Sequence, residues 1–190
     1  MKEIVLASNN PNKLKEIQAV LTDVKVLSLK EINCNEELPE TQDTLEGNAL
    51  QKAQYVKDNY GYDCFADDTG LMVEALDGRP GVYSARYAGP NCDADDNMNK
   101  LLGELEGKEN RKAKFATVIA YVRGEEHFFF KGEVEGLISE ERHGDEGFGY
   151  DPVFFPEGRE LSFAQMTNED KNKISHRSRA VVKFAEFFRE

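Results

Sequence analysis

Two adjacent carboxylates, Asp67 and Asp68, follow the apolar run Cys64-Phe65-Ala66 and precede Thr69-Gly70. Successive side chains of an extended chain point to opposite sides, so one carboxylate can face a site while structure holds its neighbour. At the C-terminal end of a strand in an α/β sheet, where ligands usually bind, such hard oxygen donors suit a Mg2+ ion that bridges to substrate phosphates. Asp-Asp-Thr-Gly is also ordinary turn chemistry. A second group, Ser8-Asn9-Asn10-Pro11-Asn12-Lys13, lies between an apolar run and a helical pattern, where free backbone N–H groups and the helix dipole attract anions. Lys13 in a first helical turn is unfavourable for the helix itself, a conflict that a bound phosphate would offset. The GxxxxGK[ST] pattern is absent, and a polar turn with an exposed lysine explains the segment equally well.

Positive charge gathers again at Lys171-Asn172-Lys173-Ile174-Ser175-His176-Arg177, where a terminal helix is expected to begin. An anion site accounts for it slightly better than a surface patch balancing Glu169 and Asp170. In Gly147-Phe148-Gly149-Tyr150-Asp151-Pro152, two glycines around an aromatic let a planar ring approach the backbone, as stacking on a nucleobase requires. A packed aromatic turn serves about as well. Glu40, in the acidic stretch around Leu38-Pro39-Glu40, reads from spacing alone as a solvated glutamate. His127 and His143 read as structural.

The elements that position these residues follow from periodicity. Residues 3–7 form a short apolar strand; Pro11 opens a helix with Leu14, Ile17, Val20 and Leu21 at helical spacing; Val24–Leu27 is a second strand, giving a β-α-β start. Residues 33–42 are a polar loop. Asp43 and Glu46 frame a capping box for a helix running to about Asn59, with Leu45, Ala49, Ala53 and Val56 facing its core and Gly61 as its stop. Gly47 inside that helix costs about 1 kcal/mol relative to Ala. A short strand at residues 64–66 ends at the paired aspartates. Residues 77–91 are an irregular Gly-, Pro- and Tyr-rich loop, and residues 93–106 an amphipathic helix with Met98, Leu101, Leu102 and Leu105 on one face. Residues 113–123 and 127–138 make a long hairpin around Gly124-Glu125. A Gly-rich loop over 144–156 leads into Phe154-Phe155, and a helix over 175–188, capped by Ser175 and packed through Val181, Phe184 and Phe188, closes the chain.

The chain has 190 residues, 39% hydrophobic and 32% charged, enough for one domain of one or two lobes with a real core. Twelve Phe and seven Tyr rule out disorder. No run reaches transmembrane length, and the N-terminus does not read as a signal peptide. Three widely spaced cysteines, with no CxxC pair, argue against disulfides or structural zinc and suit the cytoplasm. With 36 acidic and 24 basic residues the formal charge is −12, a poor match for nucleic acid.

Six blocks in order resemble the inosine triphosphate pyrophosphatase (ITPase) family along nearly the whole chain. They are Ser8-Asn9-Asn10 with Lys13 and Glu16; Thr44-Leu45-Glu46 with Asn48-Ala49 and Lys52-Ala53; residues 66–71; residues 80–89; residues 147–152; and Ile174-Ser175-His176-Arg177. The resemblance implies a single ITPase-like domain over residues 1–190: an elongated, two-lobed α/β fold with a long mixed central sheet flanked by helices, usually a homodimer. It implies Mg2+-dependent cleavage between the α and β phosphates of ITP, dITP or XTP, to the monophosphate and pyrophosphate, without membrane or nucleic-acid partners. By position Asp68 matches the general base and a metal ligand, and Glu40 a second metal ligand. Ser8, Asn9, Asn10, Lys13, Thr69, Phe148, Gly149, Tyr150, Asp151, Lys171, His176 and Arg177 match substrate contacts, with Phe148 on the base and His176-Arg177 on its 6-oxo edge. The family's Glu-Glu-Asn stands here as Glu46-Gly47-Asn48, which puts any support by the missing carboxylate in doubt. The alternatives are a Maf-like pyrophosphatase acting on pyrimidine or modified nucleotides, which would carry a basic, Ser/Arg-rich first loop, and a catalytically silent nucleotide- or RNA-associated protein. Glu40 and Asp68 argue against the silent reading, and the charge against RNA.

Overall fold

The computed structural model describes residues 1–190. It is a mixed α/β structure whose six strands form one sheet in the order β2-β1-β3-β4-β5-β6. The strands are β1 (Lys2–Leu6), β2 (Val24–Leu27), β3 (Cys64–Val73), β4 (Lys112–Arg123), β5 (Glu126–Ile138) and β6 (Phe154–Pro156). The helices are α1 (Pro11–Val20), α2 (Leu45–Tyr60), α3 (Ala94–Glu104), α4 (Asn168–Ile174) and α5 (His176–Phe187). The chain divides into two compact units, one of Met1–Asp68, Thr117–Gly132 and Arg179–Glu190, the other of Thr69–Ala116 and Glu133–Ser178.

In the first unit β1 pairs in parallel with β2 on one side and with β3 on the other. The chain therefore leaves β1 through α1 for one neighbour and later returns through α2 to the opposite flank. That reversal creates a crevice beyond the carboxyl ends of the strands, where open α/β sheets bind ligands. Strand alternation sorts the core into two layers. Ile4, Leu6 and Phe65 pack with Ile17 of α1 and Phe184 of α5. Val5, Ala7, Cys64 and Ala66 pack with Ala53 and Val56 of α2. Fully burying each large side chain here contributes roughly 1.5–3 kcal/mol.

The second unit has its own core, in which Leu71, Met98, Leu101, Leu105, Phe115, Phe154 and Phe163 are buried together. Asp93 caps α3 by accepting the Asp96 amide. Ser84 fastens a short 3-10 turn, Gly81–Arg86, to β3: its Oγ donates to the Gly81 carbonyl at 2.6 Å and accepts the Leu71 amide at 2.9 Å.

Several local expectations are corrected. Thr44, not Asp43, caps α2; extended at φ −129°, it accepts the Gly47 amide at 3.0 Å. Gly47 thus lies in the first turn rather than the interior. The strand expected to stop at Ala66 runs on through Asp67, Asp68, Thr69 and Gly70 to Val73, so the aspartates are strand residues and not a turn. Its register with β1 ends at Leu6↔Phe65, which still leaves the aspartates just past the crevice end of β1. Phe154–Pro156 add a sixth strand, antiparallel to β5. A separate short helix, α4, precedes α5, so Lys171 and Lys173 fall in the last turn of α4, where the helix dipole favours cations.

Candidate active site

The strand alternation that sorts the core also sorts the two aspartates. Asp67 has the parity of Phe65 and meets α1, where Lys13 Nζ lies 3.0 and 2.9 Å from its two carboxylate oxygens. Asp68 has the parity of Cys64 and Ala66 and meets α2. There Lys52 Nζ lies 2.7 Å from Glu40 Oε1, donates to the Asp67 carbonyl at 2.8 Å, and stands 4.0 Å from Asp68 Oδ1. The structure so gathers Glu40 and Asp68 around one ammonium group, although Glu40 sits in an acidic loop where spacing alone favours solvation.

Asn48, one turn before Lys52, is fully buried. Its Oδ1 accepts the Gln42 amide at 2.9 Å, which turns the NH2 end toward the Asp68 carboxyl, with which it hydrogen-bonds. Burial is the main influence on Asp68 and pushes its pKa up to about 6; Lys52 opposes the rise, Glu40 adds to it, Asn48 opposes it and Asp67 adds to it. Asp68 Oδ2 is buried and accepts no hydrogen bond. An orphaned carboxylate oxygen next to a second carboxylate is a donor set that a hard divalent cation fits. No cluster of three or more His, Cys, Asp or Glu side chains forms a cage for a metal, and two carboxylates completed by substrate phosphates are the usual Mg2+ arrangement.

Asn48 and Lys52 belong to the blocks that carry the resemblance, but no role at the site is assigned to them from sequence. A signal for them exists. Leu45, Asn48, Ala49, Lys52, Ala53 and Val56 recur at helical spacing, so two polar residues interrupt the buried stripe of α2. Gly47 of the departing Glu-Gly-Asn motif has a steric cause: a Cβ there would meet Gln42 Cβ at 2.8 Å.

The loop after β1 differs from its expected form. Asn10 Oδ1 accepts the Asn12 and Lys13 amides at 3.0 and 3.3 Å, and the Asn10 carbonyl accepts the Leu14 amide. Pro11 has no amide to give. The first turn of α1 therefore presents no free N–H groups, and an anion would have to displace the Asn10 cap. Ser8 Oγ accepts the Asn10 amide, and Asn9 Oδ1 accepts the Lys30 amide. In this state all three polar residues brace the loop.

The second unit assembles the aromatic segment. Phe148 is 64% exposed, unusual for a phenylalanine in a chain with a large core. Lys171 Nζ lies 4.6 Å and Arg177 Cζ 5.7 Å from its ring centroid, within cation–π range. Beneath it, Asp151 Oδ2 accepts the Phe148 amide at 3.0 Å and Lys171 Nζ at 2.5 Å. Gly147 (φ +76°) and Gly149 (φ +59°) occupy left-handed backbone, and a Cβ on Gly147 would lie 2.3 Å from Asp151 Oδ2. Tyr150 does not join the exposed face: it is buried, and its hydroxyl donates to the Ser84 carbonyl at 2.6 Å. The His176 ring is buried too, stacked on Phe115 with centroids 4.8 Å apart. Thr69 is half-buried at the strand position after Asp68.

Known proteins resemble the chain along nearly its whole length. The model of the Ham1 family matches residues 4–187. The chain is 52% identical over 188 residues to a dITP/XTP pyrophosphatase of Flavobacterium psychrophilum, covering 98% of this chain and 99% of that one. It is 54% identical over 189 residues to a dITP/XTP pyrophosphatase of Porphyromonas gingivalis, covering 98% and 97%. The solved structure of the Staphylococcus aureus Ham1 protein is similar with a TM-score of 0.95 at 39% identity, over 99% of this chain and 98% of that one. Likeness of this extent, in sequence and in backbone together, means that the chain belongs to the Ham1 family.

Proposed function

We propose that this chain is a nucleoside triphosphate pyrophosphatase that hydrolyses ITP, dITP and XTP to the monophosphate and pyrophosphate, removing non-standard purines from the nucleotide pool. The observation that carries it is the grouping of Glu40, Lys52 and Asp68, with one orphaned Asp68 oxygen, beyond the strand ends of the first unit. The activity for which relatives at 52 and 54% identity are named, dITP/XTP pyrophosphatase, supports the same reaction.

Glu40 and Asp68 would hold a divalent cation such as Mg2+, which supplies charge neutralisation on the triphosphate and leaving pyrophosphate. Asp68 takes a proton from the water whose oxygen bonds to the α-phosphorus, while the bond from that phosphorus to the bridging oxygen of the β-phosphate breaks. Without a cation, burial holds the Asp68 pKa up at about 6, which makes its carboxylate a stronger proton acceptor than an ordinary aspartate. Lys13 meets phosphate as a point charge, exchanging one carboxylate oxygen of Asp67 for a phosphate oxygen. Ser8, Asn9 and Asn10 shape the loop around it. In the second unit Phe148 stacks on the base, its exposure giving a free ring face. Lys171 and Arg177 flank that ring, and Asp151 fixes the loop that presents it. A donor aimed at a 6-oxo group leaves an unmatched contact with the amino group of adenine, which disfavours ATP. Homodimerisation belongs to the same reading. The cytoplasmic setting rests on three free cysteines, two of them buried; no helix is long and apolar enough to cross a membrane.

The test is product analysis with Mg2+ and, separately, ITP, XTP, GTP, ATP and dTTP. Monophosphate and pyrophosphate from ITP and XTP, with little from ATP or dTTP, is the expected result. Orthophosphate as the direct product, or preference for dTTP, overturns the assignment.

A further inference from the structure

Glu40 is carried by a stretch with no regular structure, residues 33–44, yet it meets Lys52 at 2.7 Å. Its approach is fixed by hydrogen bonds to α2 on both sides of it. Upstream, both oxygens of the Glu36 carboxylate face the Tyr60 hydroxyl at 2.7 and 2.8 Å, and Oε1 also accepts the Tyr55 hydroxyl at 3.0 Å. Hydrogen bonds from Tyr60, from the Glu36 backbone amide and, less, from Tyr55 hold the Glu36 pKa down at about 2, so the carboxylate is an acceptor across the working pH range. Downstream, Thr41 and Gln51 bond reciprocally: the Thr41 amide donates to Gln51 Oε1 and Gln51 Nε2 donates to Thr41 Oγ1, both at 2.8 Å. Next to them the Gln42 amide reaches Asn48 Oδ1, and Gly47 leaves room for the Gln42 side chain against the start of the helix. Leu38 packs on the core layer of α2 between the two fastenings.

Both fastenings are on the helix that also supplies Lys52 and Asn48. An isolated loop carboxylate would lose backbone entropy each time it bound a cation. Here folding has already ordered the loop. We infer that Tyr60 and Gln51, neither of which touches the reacting atoms, are positioning residues that set the affinity of the site for its divalent cation by clasping the Glu40 loop to α2. The inference rests on the reading of Glu40 as a metal ligand.

The experiment uses the full chain with Tyr60→Phe, Gln51→Ala, their combination, and Thr41→Val, which removes only one hydroxyl and keeps the fold. Glu40→Gln is the reference. Two quantities are read: the Mg2+ midpoint for pyrophosphate release at saturating ITP, and amide hydrogen exchange over residues 37–42 in metal-free protein. The double variant is expected to raise the Mg2+ midpoint about tenfold and to speed loop exchange about tenfold, with turnover at saturating Mg2+ within about twofold of the parent. Thr41→Val and each single variant should move both quantities in the same direction by less. A midpoint unchanged in the double variant but shifted by Glu40→Gln overturns the clasp while leaving the ligand reading intact. Turnover lost even at saturating Mg2+ overturns it as well. An unshifted midpoint in Glu40→Gln removes the ligand reading, and the clasp falls with it.

Discussion

Burial raises the Asp68 carboxyl above its ordinary value of 3.8 to about 6, so the folded chain retains a proton between those values that the unfolded chain has released. The stability linked to this group is complete below about pH 4 and falls as pH rises through about 6, by on the order of 3 kcal/mol. Asp68→Asn removes that penalty. In chelator-treated protein, urea unfolding should show the variant more stable than the parent by roughly 2–3 kcal/mol at pH 8, with the gap closing near pH 4. A gap of the opposite sign at pH 8 would contradict the burial argument. The same variant should lose about two to four orders of magnitude in ITP turnover while binding nucleotide nearly unchanged, measured by single-turnover kinetics and equilibrium binding. Weakened binding with normal turnover of bound ITP would refute the role of Asp68 as base. The opposed directions of Asp67 and Asp68 could be read from the sequence, because strand alternation requires them. The place of Lys52 beside Asp68 could not be read so directly, since a lysine on a long helix is usually a solvated residue; its place in the apolar stripe of α2 and in the Lys52-Ala53 block marks it without giving its partner.

Elements differ in how far local chemistry defines them. Helix α2 has a long stripe, a cap at Thr44 and left-handed Gly61 at φ 78°, and it was legible except that the cap lies one residue beyond Asp43. Helix α4 has seven residues and β6 three, too few for a period to declare itself, and tertiary packing decides both. The loop presenting Phe148 depends on one glycine more than its composition suggests. Gly147→Ala strains a positive φ and drives a Cβ into the Asp151 carboxylate, the acceptor for the Phe148 amide and for Lys171. Thermal or urea unfolding is expected to show a loss of about 1–3 kcal/mol. The KM for ITP should rise with a smaller change in turnover. Unaltered stability and KM would show that the loop does not need Asp151 beneath it.

At the scale of the molecule, β3, β4 and β5 each contribute residues to both compact units. Neither unit can melt without cutting these strands midway, so calorimetry should give one unfolding transition with a calorimetric to van't Hoff ratio near unity. Two resolved transitions would show the strands fraying at Asp68 and Ala116. The α/β class, the β-α-β start and the central hairpin were legible because their periods are long and uninterrupted. The boundaries of the two compact units were not, since they fall inside β3, β4, β5 and α5 rather than at linkers. Both termini belong to the first unit, and the chain passes between the units inside β3, β4, β5 and α5 rather than through linkers. The second unit is therefore no cassette. Grafting it onto another chain would require four cuts inside regular elements, three in strands and one in a helix.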